Sequence, residues 1–174
     1  MFVHLLDSIF ATDTDGFVAD SPESTVIVRE GVSVITEGTN RSAILSTAPD
    51  NTILMDGYAV SNQGNALRFV GGSGPTAEGS SVTIGLSGQV VARQNGLDGS
   101  GVAHVISNQG SITAGLVGIS LTDQGHTVSN AGTITARDGI MSTNSNVVNE
   151  GTMVSEFHSI FAGGDTTTAT STVP

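Results

Sequence analysis

The chain has no cysteine and no tryptophan, and its five basic side chains are all arginine. Without cysteine there are no disulfides, no thiolate catalysis and no zinc–sulfur sites, while the compartment stays open. Aromatic residues are 4% of the 174, with a single tyrosine. A core therefore has to come from Val, Ile, Leu, Ala and Met, which favours thin, repetitive packing. Positive charge is scarce too: 5 Arg stand against 16 Asp and Glu, a formal charge of −11. Such a surface argues against nucleic acid or an anionic membrane as partner. No run approaches the roughly 20 apolar residues that cross a bilayer, so the chain is not expected to be transmembrane. The start, Met1 to Asp7, has no basic stretch and meets an acid after six residues. It does not read as a general secretory signal, so the protein either stays inside, has lost its signal, or leaves by another route.

What is present is a foldable share of apolar residues, 37%, and 23 glycines, in a length that suits one domain. The glycines carry an internal repeat. Val105-Ile-Ser-Asn-Gln-Gly-Ser-Ile-Thr-Ala114 aligns with Thr127-Val-Ser-Asn-Ala-Gly-Thr-Ile-Thr-Ala136 and with Asn146-Val-Val-Asn-Glu-Gly-Thr-Met-Val-Ser155. Weaker copies centre on Gly88 and Gly57, and a doubtful one on Gly31, at spacings of 26, 31, 22, 22 and 19 residues. Four residues before each glycine stands an aliphatic residue: Ile27, Ile53, Ile84, Ile106, Val128 and Val147. Two residues after it come Ala59, Val90, Ile112, Ile134 and Met153, with Ser33 out of pattern.

Alternation at period 2 on both sides of a glycine is strand periodicity. A second short strand follows at Gly96-Leu97, Gly118-Ile119, Gly139-Ile140 and Ser159-Ile160. A unit of about 22 residues with two or three strands and Gly, Asn or Asp at its corners is one coil of a parallel β-solenoid. The expected fold is all-β, a single-domain parallel β-solenoid (β-helix) of about six coils over residues 26–165. Residues 1–25 read as an N-terminal cap or docking segment, and residues 166–174 as a Thr-rich tail expected to be disordered alone. One coil buries nothing by itself, so the aliphatic positions should stack as inward ladders. Asn108, Asn130 and Asn149 should form a polar ladder, with Leu86 and Met55 holding that place in earlier coils.

The N-x-G-x-I-x-A repeat followed by G-I resembles the passenger repeats of large secreted bacterial adhesins, including autotransporters and type I-secreted proteins of the calcium-binding RTX group. The likeness covers residues 82–164 and, less well, reaches back to residue 26. It implies an extracellular or cell-surface bacterial protein, exported by a non-classical or type I route. The G-G-x-G-x-D array of the RTX group is absent, with only Gly163-Gly164-Asp165 suggesting its start, so calcium-driven folding of that kind is not implied.

Asp13, Asp15 and Asp20 form a stretch resembling an oxygen-ligand loop, with calcium as the possible ion and no other cofactor suggested, while Asp98-Gly-Ser-Gly and Asp123-Gln-Gly are similar corner sequences that read as turns. The competing reading is an Asp-rich turn that caps backbone N–H groups. His104 and His126, each six residues before a repeat glycine, should stack in adjacent coils, with Ser145 in the next copy where a third metal ligand would stand. Arg137 and Glu156 should be cross-coil neighbours. Carboxylates fall at loops without a signalled pocket, so no enzyme is expected. Two functional classes remain. One is a structural protein that self-associates head to tail into a filament, matrix or surface layer, through Phe2, Val3, Leu5, Leu6, Ile9 and Phe10 at one end and Val147, Met153, Ile160 and Phe161 at the other. The alternative is an adhesin module that binds glycan or protein through loops on one face.

Overall fold

Runs of three to six residues that alternate Val, Ile, Leu, Thr and Ser build short strands, and Gly, Asn and Asp at the corners interrupt them. A computed structural model describes residues 1–70, 79–163 and 168–171. Among these, every strand pairs in parallel with the strand one turn earlier or later, and the three resulting sheets form the faces of a β-solenoid. Face A holds β1 (Phe2–Leu5), β4 (Ser24–Val28), β7 (Thr52–Met55), β10 (Ser81–Ile84), β13 (Val105–Asn108), β16 (Thr127–Asn130), β19 (Asn146–Asn149) and β22 (Thr168–Ser171). Face B holds β2 (Ile9–Ala11), β5 (Ser33–Thr36), β8 (Tyr58–Ser61), β11 (Gln89–Ala92), β14 (Ser111–Ala114), β17 (Thr133–Ala136) and β20 (Thr152–Ser155). Face C holds β3 (Phe17–Ala19), β6 (Ile44–Ser46), β9 (Leu67–Val70), β12 (Leu97–Ser100), β15 (Val117–Leu121), β18 (Asp138–Thr143) and β21 (Ile160–Gly163). Among the described residues no helix is long and apolar enough to cross a membrane.

The turns number about seven rather than six. The added one is residues 2–19, whose strands pair in register with the second turn on all three faces. The expected tail contains β22, which adds to β19 in face A and opens an eighth turn. Most of the long insertion after Val70, and the Gly164-Asp165 pair, lie outside the described residues.

Stacking puts like on like. The face B column runs Ile9, Val34, Ala59, Val90, Ile112, Ile134 and Met153, buried through the middle and half-buried at both ends. The face C column runs Phe17, Ile44, Leu67, Leu97, Ile119, Ile140 and Ile160. Face A departs from the expected ladder in two places. Val82, not Ile84, pairs with Ile53 and Ile106, and Val26, not Ile27, pairs with Ile53. Ile84 instead stands beside Met55 and Asn108, while Leu86 is 85% exposed. The cause is corner length: Gly85, Leu86 and Ser87 fill a turn closed by Gly88 N–H to Gly85 C=O (2.9 Å), where later copies have only one residue between strand and glycine. At the first copy, Val32 rather than Gly31 supplies the carbonyl that Tyr58 N–H bonds.

The Asn ladder forms as expected. Asn108 Nδ2 donates to Asn130 Oδ1 and Asn130 Nδ2 to Asn149 Oδ1, both at 2.6 Å. Its first member stands beside Ile84, which offers no donor, so Asn108 Oδ1 is buried without a partner. The corner glycines are required by close approach: a Cβ on Gly110 would run into the Gly88 carbonyl oxygen, and one on Gly132 into that of Gly110.

Register makes a mutational prediction. Ile112→Ala, at the centre of the face B column, should cost about 2–5 kcal/mol in a denaturant titration. Its outward neighbour Thr113→Ala should stay within about 0.5 kcal/mol. Equal losses at the two positions would place the column on the wrong side of the sheet.

Candidate functional site

The two ends of the solenoid hold the residues expected to self-associate. At the start, Phe2, Val3, Leu5 and Phe10 are exposed and Ile9 half-buried. At the finish, Phe161 is exposed and Met153 and Ile160 half-buried. Two of the ten are not available: Leu6 is buried, its N–H held by the Ile27 carbonyl, and Val147 is buried next to β22.

Register adds what position in the chain could not. The outward column of face B runs Phe10, Ile35, Val60, Val91, Thr113, Thr135 and Val154. The outward column of face C runs Val18, Leu45, Arg68, Asp98, Ser120, Met141 and Phe161. Phe10 is 62% exposed, Val154 57%, Val18 44% and Phe161 51%. Both outward columns thus begin and end in an apolar side chain and mix apolar with polar ones within. Val18 and Val154 are not among the residues expected from sequence to self-associate, because they become end residues only once each strand's register is known.

Charge is kept off two of the three faces. The strands of faces A and B contain no Asp, Glu or Arg. On face C, Arg68 Nε lies 3.7 Å from Asp98 Oδ2 in the next turn, and Asn65 and Asn95 also donate to Asp98 (2.9 and 3.1 Å). Apart from Asp138 in β18, the other acids among the described residues stand between the strands. Asp15 Oδ1 accepts the Ser42 N–H (2.7 Å) and its Oδ2 lies 3.8 Å from Arg41, while Asp20 Oδ1 accepts the Ser21 hydroxyl (3.3 Å). These are the contacts of a corner cap. Asp13, Asp15 and Asp20 form no group of three placed to hold a metal ion, and none occurs among the described residues. Arg137 and Glu156 do occupy corresponding places in adjacent turns, since Glu156 N–H bonds the Arg137 carbonyl. The guanidinium, however, turns to Asp138 (3.3 Å), its immediate neighbour in the chain, and forms no ion pair with Glu156.

Asp138 is buried at the start of β18 and accepts both Arg137 Nε and His158 Nδ1 (2.8 Å). The bond from His158 holds its carboxyl below the usual carboxylate range; burial opposes it, and the bond from Arg137 adds to the lowering.

At the corner between faces C and A, His104 and His126 are buried and stacked, ring centroids 5.2 Å apart and planes 4° from parallel. Phe69 meets His104 edge-on at 4.9 Å, and a Cβ on Gly99 would collide with the Phe69 ring. Each Nδ1 accepts a backbone N–H from the turn before: Ser80 to His104 (3.0 Å) and His104 to His126 (3.2 Å). Each Nε2 therefore carries the proton and donates to a carbonyl, that of Ser100 (3.0 Å) or Thr122 (2.9 Å). Both rings are fixed neutral. Burial pushes both pKa values below 6.5, and for His126 the neighbouring His104 lowers it further. Asn51 does the same work earlier in the column, its Oδ1 accepting the Ser24 N–H (2.8 Å).

A lowered histidine pKa gives the pH dependence its sign. The unfolded chain binds protons as pH falls through about 6.5 and the folded chain does not, so stability is complete above that value and declines below it. The thermal midpoint should drop between pH 7 and 5, and the double variant His104→Asn, His126→Asn should flatten that slope. A slope unchanged in the double variant would assign it elsewhere. Asp138 acts in a separate window, below about pH 4, where a lowered folded pKa makes stability fall as the carboxyl protonates.

No protein-family model matches the chain, and no curated protein or solved structure matches it.

Proposed function

We propose that the chain is an extracellular structural protein that associates head to tail, one solenoid continuing the next, into a filament or layer. One observation carries the reading: the same columns end in apolar residues at both ends. If a second copy continues the stack, Ile9 meets Met153 and Phe17 meets Ile160 inside, while Phe10 meets Val154 and Val18 meets Phe161 outside. Each contact is of the kind that already joins turn to turn within one copy. The ends are unlike, so the contact is heterologous and does not close on itself, which yields open chains of copies. The strands of faces A and B that would meet carry no Asp, Glu or Arg; the acids of the two end turns, Asp7, Asp13, Asp15, Glu150 and Glu156, stand between the strands.

The adhesin reading has its own support in a shallow groove of about 670 Å³ along the corner between faces A and B. Its floor is the glycine column Gly88, Gly110, Gly132 and Gly151, and Gln89, Gln109, Ser111 and Thr133 line it. A polar groove of constant repeat suits an extended glycan, although no aromatic side chain lines it for stacking on a sugar.

Light scattering and negative-stain microscopy at tens of micromolar test the first reading. The unaltered chain should form linear oligomers, and Phe10→Asp or Val154→Asp, each placing a charge at the joint, should return it to monomer with an unchanged melting curve. A chain that stays strictly monomeric, both unaltered and with residues 164–174 removed, overturns end-to-end association and leaves the groove as the site to probe with glycans.

A further inference from the structure

The two ends do not match on all three faces. Faces B and C finish in the seventh turn with β20 and β21, but face A carries one strand more, because β22 lies on the outer edge of β19. At the start all three faces begin together with β1, β2 and β3.

A second copy that brings β2 against β20 and β3 against β21 has to bring β1 against β19, and β22 occupies that edge. The alternative is to seat β1 on β22. That leaves one empty rung on faces B and C, so β20 and β2 of the next copy stand about 9–10 Å apart, twice the strand spacing and beyond hydrogen bonding. Only four residues of face A would then hold the joint, and none of the matched apolar columns would meet.

Resting on the head-to-tail reading, we propose that β22 is an intramolecular plug: it competes with β1 of a second copy for the edge of β19, and end-to-end growth requires its release. The competition is between equivalent partners in direction, since β22 runs parallel to β19, as β1 runs parallel to β4. It is unequal in extent. The incoming copy supplies three strands, on three faces, whereas β22 fills four residues of one face. Isolated ends therefore stay plugged by a strand that is always at hand, and release is repaid only when a whole turn docks. Such a device gives slow nucleation and a threshold concentration.

Two variants test this. A chain ending at Gly163 lacks the plug. If β22 covers the edge in at least about nine of ten molecules, its removal raises the docking-competent fraction, and lowers the threshold for assembly, by about tenfold. The second keeps the full chain and locks the plug in place: residues 148 and 170 are register partners on β19 and β22, and neighbouring strands lie within the Cα range of a disulfide. The chain has no other cysteine, so Val148→Cys with Thr170→Cys can be oxidised cleanly. The oxidised form should be monomeric at concentrations where the reduced form assembles, and this comparison stands even if the shortened chain fails to fold. Equal assembly of oxidised and reduced forms overturns the plug while leaving head-to-tail association intact. If the unaltered chain, the shortened chain and the reduced variant all stay monomeric, the association reading itself falls and the plug with it.

Discussion

Parallel stacking in register is the constraint on which the rest of the molecule depends. No turn of this chain encloses a core; each buries its inward residues only against the turns before and after. A residue is therefore chosen for its column as much as for its strand. Ile112 is inward because Val90 and Ile134 are, and Asn130 is tolerated inside because Asn108 and Asn149 bond to it. The glycine corners follow from the same rule, since successive turns approach until a Cβ would strike the previous carbonyl. The buried histidines follow too: a ring nitrogen that accepts the N–H of the turn above satisfies a donor that a corner leaves over.

The repeat made much of this legible from sequence. In the last three copies the corner is one residue long, so counting from Gly110, Gly132 and Gly151 places both inward columns and the Asn ladder correctly. Counting fails where corner length changes. Leu86 and Ser87 lengthen one corner by two residues, which keeps alternation intact and so hides the shift: Ile84 and Val82 are both inward, and only pairing tells which stands beside Ile106. Near Gly31 the shift is by one, which exchanges inside for outside and leaves Ile27 outward. Residues 2–19 escaped the repeat because they lack its glycine and carry more aromatic side chains, yet pairing needs neither.

The sites were less legible than the fold. Asp15 has the composition of a cation ligand and the contacts of a cap, which only the positions of Ser42 and Arg41 distinguish. Arg137 has two acids within reach in register terms, and the nearer, buried Asp138 takes it. The end residues are a property of register alone: Phe10 and Val154 are 144 positions apart in sequence and occupy the two ends of one column. A rule that joins turns inside the molecule thus supplies, without further design, a rule for joining molecules.

The central claim is that the joint between copies repeats the joint between turns, and a cross-link measures it most directly. Phe10→Cys and Val154→Cys are made as separate single variants of this cysteine-free chain, mixed at tens of micromolar and oxidised. The account predicts a heterodisulfide between the two variants in clear excess over either homodimer, and none when Thr113→Cys, from the middle of the same column, replaces Phe10→Cys. Equal yields with both partners would contradict it, because the copies would then be meeting without regard to the columns.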